Sequence, residues 1–350
     1  MARILIATDA WHPQVNGVVR TLEMTARSLR EFGHIVEIVE PSSYYAIPVP
    51  FYPEVGVCVP RPGRVYDRIR RFRPDSIHIA TEGTIGLLVH RYCRHRGWRF
   101  STSYHTRFPE YLHRLAYVPQ RLTYRFLTRF HDRSDAMMVA APSLEKELRR
   151  RGFTAPIRRW SRGVDPSVFH PRPKPEVPYP RPVLLYVGRI SHEKNIEAFL
   201  RLKTAGTKVL VGDGPARREL ERKYPDAAFL GYRRGLALGE AYAAADAFVF
   251  PSLTDTFGIV VIEALASGLP VAAYPATGPI DTITSEKYGS LHHDLSEAVR
   301  RALRNGDPAA CAREGRNYTW ENCTRQFEEN LVPIHGLAQL PRRCHQSRIR

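Results

Sequence analysis

A chain of 350 residues suits about two domains of roughly 100–200 residues each, and an apolar fraction of 43% is enough to build two cores. No run approaches the ~18 uninterrupted apolar residues that span a bilayer, and five cysteines without metal or redox spacing exclude a disulfide framework and point to a reduced, cytosolic compartment. The formal charge of +17 is uneven: residues 1–160 hold 26 Lys and Arg against 14 Asp and Glu, the remainder 26 against 21, and a one-sided surplus suits an anionic partner such as nucleic acid, a membrane surface or an acidic substrate.

The first predicted element is a strand over 3–8. Its basic start and apolar run look like a leader, but the run is short, stops at Asp9 and lacks a cleavage pattern. Further strands are predicted at 35–39, 76–80, 99–104 and 136–141, with helices over 18–32, 83–96 and 119–133 between them. Gly33 closes the first helix as a C-terminal stop. Alternation of this kind predicts a parallel sheet with helices on both faces. In the helix at 119–133, arginines at 121, 125, 129 and 133 form a slowly drifting stripe, while Leu122, Phe126, Leu127 and Phe130 gather on another side. That is the pattern of a basic interfacial helix, and also of an ordinary domain helix whose apolar side packs on the sheet.

Prolines at 166, 171, 173, 175, 178, 180 and 182 then break the alternation. Residues 166–182 therefore read as a hinge between a first domain, 1–165, and a second, 183–335. Strands resume at 183–187, 208–211, 227–230, 247–251 and 271–274, so the second domain is another α/β unit. The tail, 336–350, is polar, basic and frayed.

Open α/β sheets bind ligands outside the carboxyl ends of their strands, so those ends hold the candidate site. The first strand runs toward Asn16-Gly17 at a helix start, where a glycine permits close backbone approach and free N–H groups attract phosphate. A plain turn glycine explains the same residues. The second domain opens with Val187-Gly188-Arg189, followed by Lys194-Asn195. An arginine fork and a lysine point charge suit a pyrophosphate and the charge it gains on leaving; the alternative is two solvated surface cations. Farther on, Asp255-Thr256-Phe257-Gly258 leads into a helix over 258–267, with Glu263 eight residues after Asp255 and about two turns in. Two acceptor-only carboxylates along one helix face suit the hydroxyl donors of a sugar. Glu263 stands among Ile, Val, Ala and Leu, so it is expected to be buried and to need a partner.

Together with Val211-Gly212-Asp213-Gly214-Pro215 and Arg162-Gly163-Val164-Asp165, these segments resemble the retaining glycosyltransferases of family four, across residues 3–332. The stretches Ser103-Tyr104-His105-Thr106-Arg107-Phe108-Pro109 and Tyr274–Asp281 are similar to those of bacterial mannosyl-, glucosyl- and glucuronosyltransferases that act on diacylglycerol and other lipids. The resemblance implies an α/β fold of the GT-B type, two Rossmann-like domains with parallel sheets facing across a cleft. It implies a nucleotide-sugar donor such as UDP-glucose, UDP-glucuronate or GDP-mannose, a lipid acceptor, and no metal or other cofactor. Gly17, with Asn16, would face the donor phosphates and sugar; Arg189 and Lys194, beside Gly188, would hold the pyrophosphate. Glu263 would accept from the ribose, Asp255 would contact the transferred sugar together with Phe257 and Gly258, and His105 would hydrogen-bond that sugar. Asp213, Gly214 and Arg233 would lie near the nucleobase. Asp255 stands where the family often has Glu, one methylene longer. The resemblance and the basic first half together predict a peripheral protein on the inner face of the cell membrane.

Two other classes fit less well. A dinucleotide-dependent oxidoreductase needs G-x-G-x-x-G at a strand–helix turn, which is missing after both 3–8 and 183–187. A nucleic-acid-binding module explains the charge, but no recognition motif or stacking signature accompanies it, so no nucleic-acid partner is expected. A nucleotide-sugar epimerase is the nearest enzymatic rival.

Overall fold

The computed structural model describes residues 1–14, 16–49 and 52–336, so all of the basic tail except Gly336 lies outside the described residues. The first part of the chain runs β1 (Arg3–Ala7), α1 (Gly17–Glu31), β2 (Ile35–Val39), β3 (Tyr45–Val49), β4 (Tyr52–Val59), α2 (Pro62–Phe72), β5 (Ser76–Ile79), α3 (Thr84–Arg96), β6 (Ser101–Tyr104), α4 (Phe108–Ala116), α5 (Gln120–His131), β7 (Ala136–Val139), α6 (Pro142–Arg150) and β8 (Ile157–Arg159). The second runs β9 (Val183–Val187), α7 (Ile196–Leu200), β10 (Thr207–Val211), α8 (Arg217–Lys223), β11 (Ala228–Phe229), α9 (Gly235–Ala244), β12 (Ala247–Phe250), α10 (Ile259–Ala266), β13 (Val271–Ala273), α11 (Pro279–Thr282), β14 (Gly289–Leu291), α12 (Leu295–Asn305), α13 (Pro308–Gly315) and α14 (Trp320–Asn330).

Two parallel six-stranded sheets result, ordered β2-β1-β5-β6-β7-β8 and β11-β10-β9-β12-β13-β14; β3 and β4 form a separate antiparallel hairpin. In β1 the side chains alternate between two cores. Leu5 and Ala7 join Ile77, Ile79, Val65 and Ile85 on one face, and Ile4 and Ile6 join Leu22, Ala26 and Leu29 of α1 on the other. A strand buried on both faces reads as a continuous apolar run, which is why 3–8 was legible. The order of each sheet reverses at its first strand: after β1 the chain builds β2 on one side and then β5 on the other, and β9 divides β10 from β12 in the same way. Such switch points open a crevice at the strand ends.

The last helix departs from the expected domain boundary. Trp320, Cys323, Phe327 and Leu331 of α14 and its C-terminal end share a cluster with Ile4, Ile6, Leu22 and Trp160, and the Ile334 N–H donates to Asp75 O at 2.9 Å. Residues 320–334, assigned by their position in the chain to the second domain, complete the first. The polypeptide therefore crosses between the domains twice, side by side: Val164 N–H donates to Tyr318 O at 2.9 Å, and Val164 bridges Thr319. The proline-rich stretch is bound to the second domain instead of spanning a gap. Asp246 accepts from Arg181 at 2.8 Å and from Val183 N–H at 2.7 Å and pairs with Lys174, and Phe169 is buried. The chain thus passes between the two units at 163–164 and 318–320, outside the stretch 166–182 that the prolines mark.

At the first crossing a Cβ on Gly163 would stand 2.5 Å from Trp320 N. Gly163→Val is therefore expected to destabilise the protein by about 1–3 kcal/mol, as overpacking does. A thermal melt unchanged from the wild type would show that the crossing has slack.

Candidate active site

Two loops leave neighbouring strands at the switch point of the second sheet. Residues 188–195 follow β9, and residues 251–258 follow β12. The Asn195 side-chain amide donates to Pro251 O at 3.1 Å, and the Thr254 hydroxyl donates to Glu193 O at 3.3 Å, so the loops are tied into one surface. A third loop follows β10. A Cβ on Gly212 would lie only 1.9 Å from Gly188 O, so the backbones touch and no side chain fits between them. Ile190 N–H donates to Asp213 O at 2.8 Å, placing Gly214 and Asp213 beside the Gly188 loop. The Asp213 carboxylate itself faces Arg217 at 3.1 Å and is largely exposed. Arg233 lies half-buried, four residues beyond the end of β11.

Lys194 and Asp255 meet here. Their ammonium and carboxylate are 2.6 Å apart, each about a quarter exposed. Burial works against the charged form of Asp255, but the Lys194 ammonium, the Ser252 hydroxyl and the Arg107 charge hold its carboxyl below the ordinary aspartate value. Asp255 therefore stays ionised and Lys194 is not a bare surface cation. Arg189 follows Gly188 in the loop after β9 and is half-buried, and its carbonyl accepts from the Tyr186 hydroxyl at 2.9 Å.

Asp255 and Glu263 do not share a helix face. Asp255 lies in the loop, and α10 begins only at Ile259, so Glu263 is little more than one turn in. The expected burial is seen: Glu263 is 2% exposed. Its partners are Arg20 of α1, at 2.9 Å, and the Tyr242 hydroxyl of α9, at 3.0 Å. Burial raises the Glu263 carboxyl above the ordinary glutamate value, and Arg20 and Tyr242 oppose the rise. Gly258 precedes this helix, and the Phe257 ring is buried against Tyr318.

The first domain supplies the opposite wall. Asn16 caps α1, its side chain accepting from Val18 and Val19 N–H at 3.0 Å each. A Cβ on Gly17 would lie 3.4 Å from the Ile259 side chain, so the starts of α1 and α10 face each other. Asp9, at the end of β1, is taken by structure: it accepts from Ile85 N–H at 2.7 Å and Gly86 N–H at 3.1 Å in the first turn of α3.

His105 is buried, and both ring nitrogens have partners inside the first domain. Arg162 donates to Nδ1 at 2.8 Å, so Nε2 carries the proton and donates to Ser103 Oγ at 2.9 Å. Burial and the Arg162 charge push this histidine well below its ordinary pKa and keep the ring neutral. Its carbonyl reaches the other domain, accepting from the Thr256 hydroxyl at 2.6 Å. Arg107 Nη2 spans the same gap to Thr277 Oγ1 at 2.6 Å, and Ser143 N–H donates to Asp281 at 3.1 Å. Sequence reasoning gave no site role to Arg20, Tyr242, Arg162 or Thr256. Arg162 and Thr256 stand inside segments it singled out, and Arg20 lies one turn after Gly17 on the helix that starts there; Tyr242 had no local signal.

On the outer surface, α5 buries Leu127 and Phe130 and exposes Leu122 and Phe126, so the four apolar residues do not form one face. Arg121, Arg125 and Arg129 are exposed beside them and, with Arg151, line a groove of about 740 Å³. Exposed Tyr117 and Phe108 lie nearby in the chain. Among the described residues no helix is long and apolar enough to cross a membrane.

A family model described as Glycosyltransferase Family 4 matches residues 15–168, and another, Glycosyl transferases group 1, matches residues 181–305. The chain is 31% identical to a GDP-mannose-dependent alpha-mannosyltransferase of Mycobacterium tuberculosis, over 89% of this chain and 90% of that one. It is 27% identical to an alpha-monoglucosyldiacylglycerol synthase of Streptococcus pneumoniae, over 86% and 78%. In shape it is similar to sucrose-phosphate synthase of Thermosynechococcus elongatus, with a TM-score of 0.73 at 20% identity over 93% of this chain and 97% of that one.

Proposed function

The chain belongs to the family 4 glycosyltransferases of the GT-B fold, and from that premise we propose that it moves a hexose or hexuronic acid from a nucleotide-sugar to a lipid acceptor, with retention of configuration and without a metal ion. The observation that carries this reading is the charge arrangement at the second switch point. Lys194 meets Asp255 between the loops after β9 and β12, Arg189 lies in the first of these loops beside Gly188 in the chain, and Glu263 lies on α10, the helix that follows the second. The two cations stabilise the diphosphate where negative charge develops as the sugar leaves, which is the role a divalent ion plays elsewhere. Asp255 takes hydroxyls of the transferred sugar, Glu263 takes the ribose, and the surface from Gly214 to Arg233 takes the base. A leaving phosphate oxygen accepts the proton of the attacking hydroxyl on the same face, so configuration is kept. Contact between the His105 ring and the sugar requires its Nε2–H to exchange Ser103 for a sugar hydroxyl.

Three features support a lipid acceptor: the basic surplus of residues 1–160, the exposed apolar and arginine side chains of α5, and the similarity to a diacylglycerol-modifying relative. On this reading the protein works at the inner face of the cell membrane. The test is a donor panel of UDP-glucose, UDP-glucuronate, UDP-galactose and GDP-mannose with diacylglycerol vesicles, each run with and without EDTA, with product mass as the readout. One donor is expected to give a glycosylated lipid at an equal rate in EDTA. No lipid product from any donor overturns the acceptor assignment, and complete loss that only a metal restores overturns the metal-free mechanism.

A further inference from the structure

Glu263 is a buried carboxylate whose cation comes from the other domain. Arg20 of α1 reaches over from the first sheet and places Nη1 2.9 Å from Glu263 Oε1. The groups packed around it among the described residues are few: Arg20 from α1, the Tyr242 hydroxyl from α9 on Oε2, and behind Tyr242 the Tyr186 ring of β9. The Arg20 guanidinium also lies over the Phe169 ring at 5.8 Å, and Phe169 meets Tyr242 edge-on at 5.5 Å. Arginine, phenylalanine, tyrosine and glutamate thus form one connected set, in which the cation is held on the carboxylate.

A carboxylate offers about four lone-pair sites. Arg20 and Tyr242 take one on each oxygen, which leaves one on each for the two neighbouring hydroxyls of a ribose. A carboxyl this deeply buried resists ionisation unless a cation faces it. Once protonated it loses acceptor capacity and donates instead, which no longer suits two hydroxyl donors.

We propose that Arg20 is a positioning residue for the nucleotide-sugar: across the cleft it keeps Glu263 charged and oriented for the ribose hydroxyls, so the donor site of the second domain is completed by a side chain of the first. The proposal rests on the reading of Glu263 as the ribose-binding residue. The sign of the pH effect follows. Burial raises the Glu263 carboxyl and Arg20 opposes it. Removing Arg20 raises it further, so the protonated form gains as pH falls and donor affinity falls with it.

The test is calorimetric titration of the full chain with UDP and with GDP, at about pH 6 and about pH 8, for the wild type, R20M, R20K and E263Q. Wild type and R20K are expected to bind equally at both values. R20M is expected to lose at least about tenfold in affinity at the lower pH, as the loss of a buried charge's partner does, and to recover at the higher. That recovery within a single variant shows that it is folded. E263Q is expected to bind weakly at both values. If E263Q binds like the wild type, the ribose reading of Glu263 falls. If E263Q is weak while R20M matches the wild type throughout, the role of Arg20 falls alone. Weakening of R20M by the same factor at both values also overturns it, because a merely structural side chain would act without regard to pH.

Discussion

Lys194→Ala and Glu263→Ala are each expected to lower kcat/KM by at least about a hundredfold, the equivalent of ~2.7 kcal/mol of transition-state stabilisation. The two losses should differ in kind. Lys194 is proposed to face charge that grows only as the diphosphate leaves, so its removal should fall mainly on kcat. It also leaves Asp255 without the ammonium that holds its carboxyl down, in a place where burial already disfavours the charge. Glu263 is proposed to grip a part of the donor that does not react, so its removal should appear first in KM. Steady-state kinetics on variants with wild-type melting curves separate these cases. Near-normal turnover in either variant would remove the mechanism proposed here.

Reversing three arginines of α5 should abolish binding to anionic membranes. Because Leu127 and Phe130 are buried in the first domain, Leu122 and Phe126 are the apolar side chains of this helix available for insertion. Two half-exposed side chains give weak anchorage, so attraction must come chiefly from Arg121, Arg125 and Arg129. Near an anionic surface each basic residue adds about 1 kcal/mol, so losing three costs about a hundredfold and reversing them costs more. Sedimentation with phosphatidylglycerol vesicles should show binding that weakens at high salt and is lost in R121E/R125E/R129E. Equal binding to neutral and anionic vesicles, or an unaffected triple variant, would sink the idea. A soluble acceptor would then become the better reading.

The sheets were legible because strands buried on both faces write themselves as apolar runs. Val183–Val187, buried throughout, is read with the bounds it has, and so is Ile35–Val39, an edge strand that buries only Val36 and Val39 but keeps the β-branched pattern. Others are read too long, since Ala140 and Pro251 stay buried after the ladder has ended. The hairpin β3–β4 was missed because Pro48, Pro53 and Gly56 argue against a strand. In α2 only Val65 and Ile69 are buried among its arginines, and β8 offers one half-buried isoleucine before two arginines. The donor loops were legible because Gly188 to Lys194 and Asp255 to Glu263 are contiguous motifs. Arg20 against Glu263, and Arg162 against His105, join residues far apart in the chain, and no local pattern names such a partner. The same holds for α14: its sequence shows an amphipathic helix but not which sheet will cover it.

The return of α14 to the first domain bears on how the chain is made. Synthesis proceeds from the N-terminus, and domains that are continuous in sequence fold as they emerge, the earlier before the later. Here Ile4, Ile6, Leu22 and Trp160 must wait for Trp320, Phe327 and Leu331, which are added after the entire second sheet. At about 5–20 residues per second that delay is on the order of ten seconds or more. One face of the first sheet, the one that carries Ile4 and Ile6, is therefore covered in full only after the half encoded second has been made, while the opposite face draws almost all of its core from residues made early. A chain cut short between the two crossings would leave Ile4, Ile6, Leu22 and Trp160 without the cover that Trp320, Phe327 and Leu331 give them.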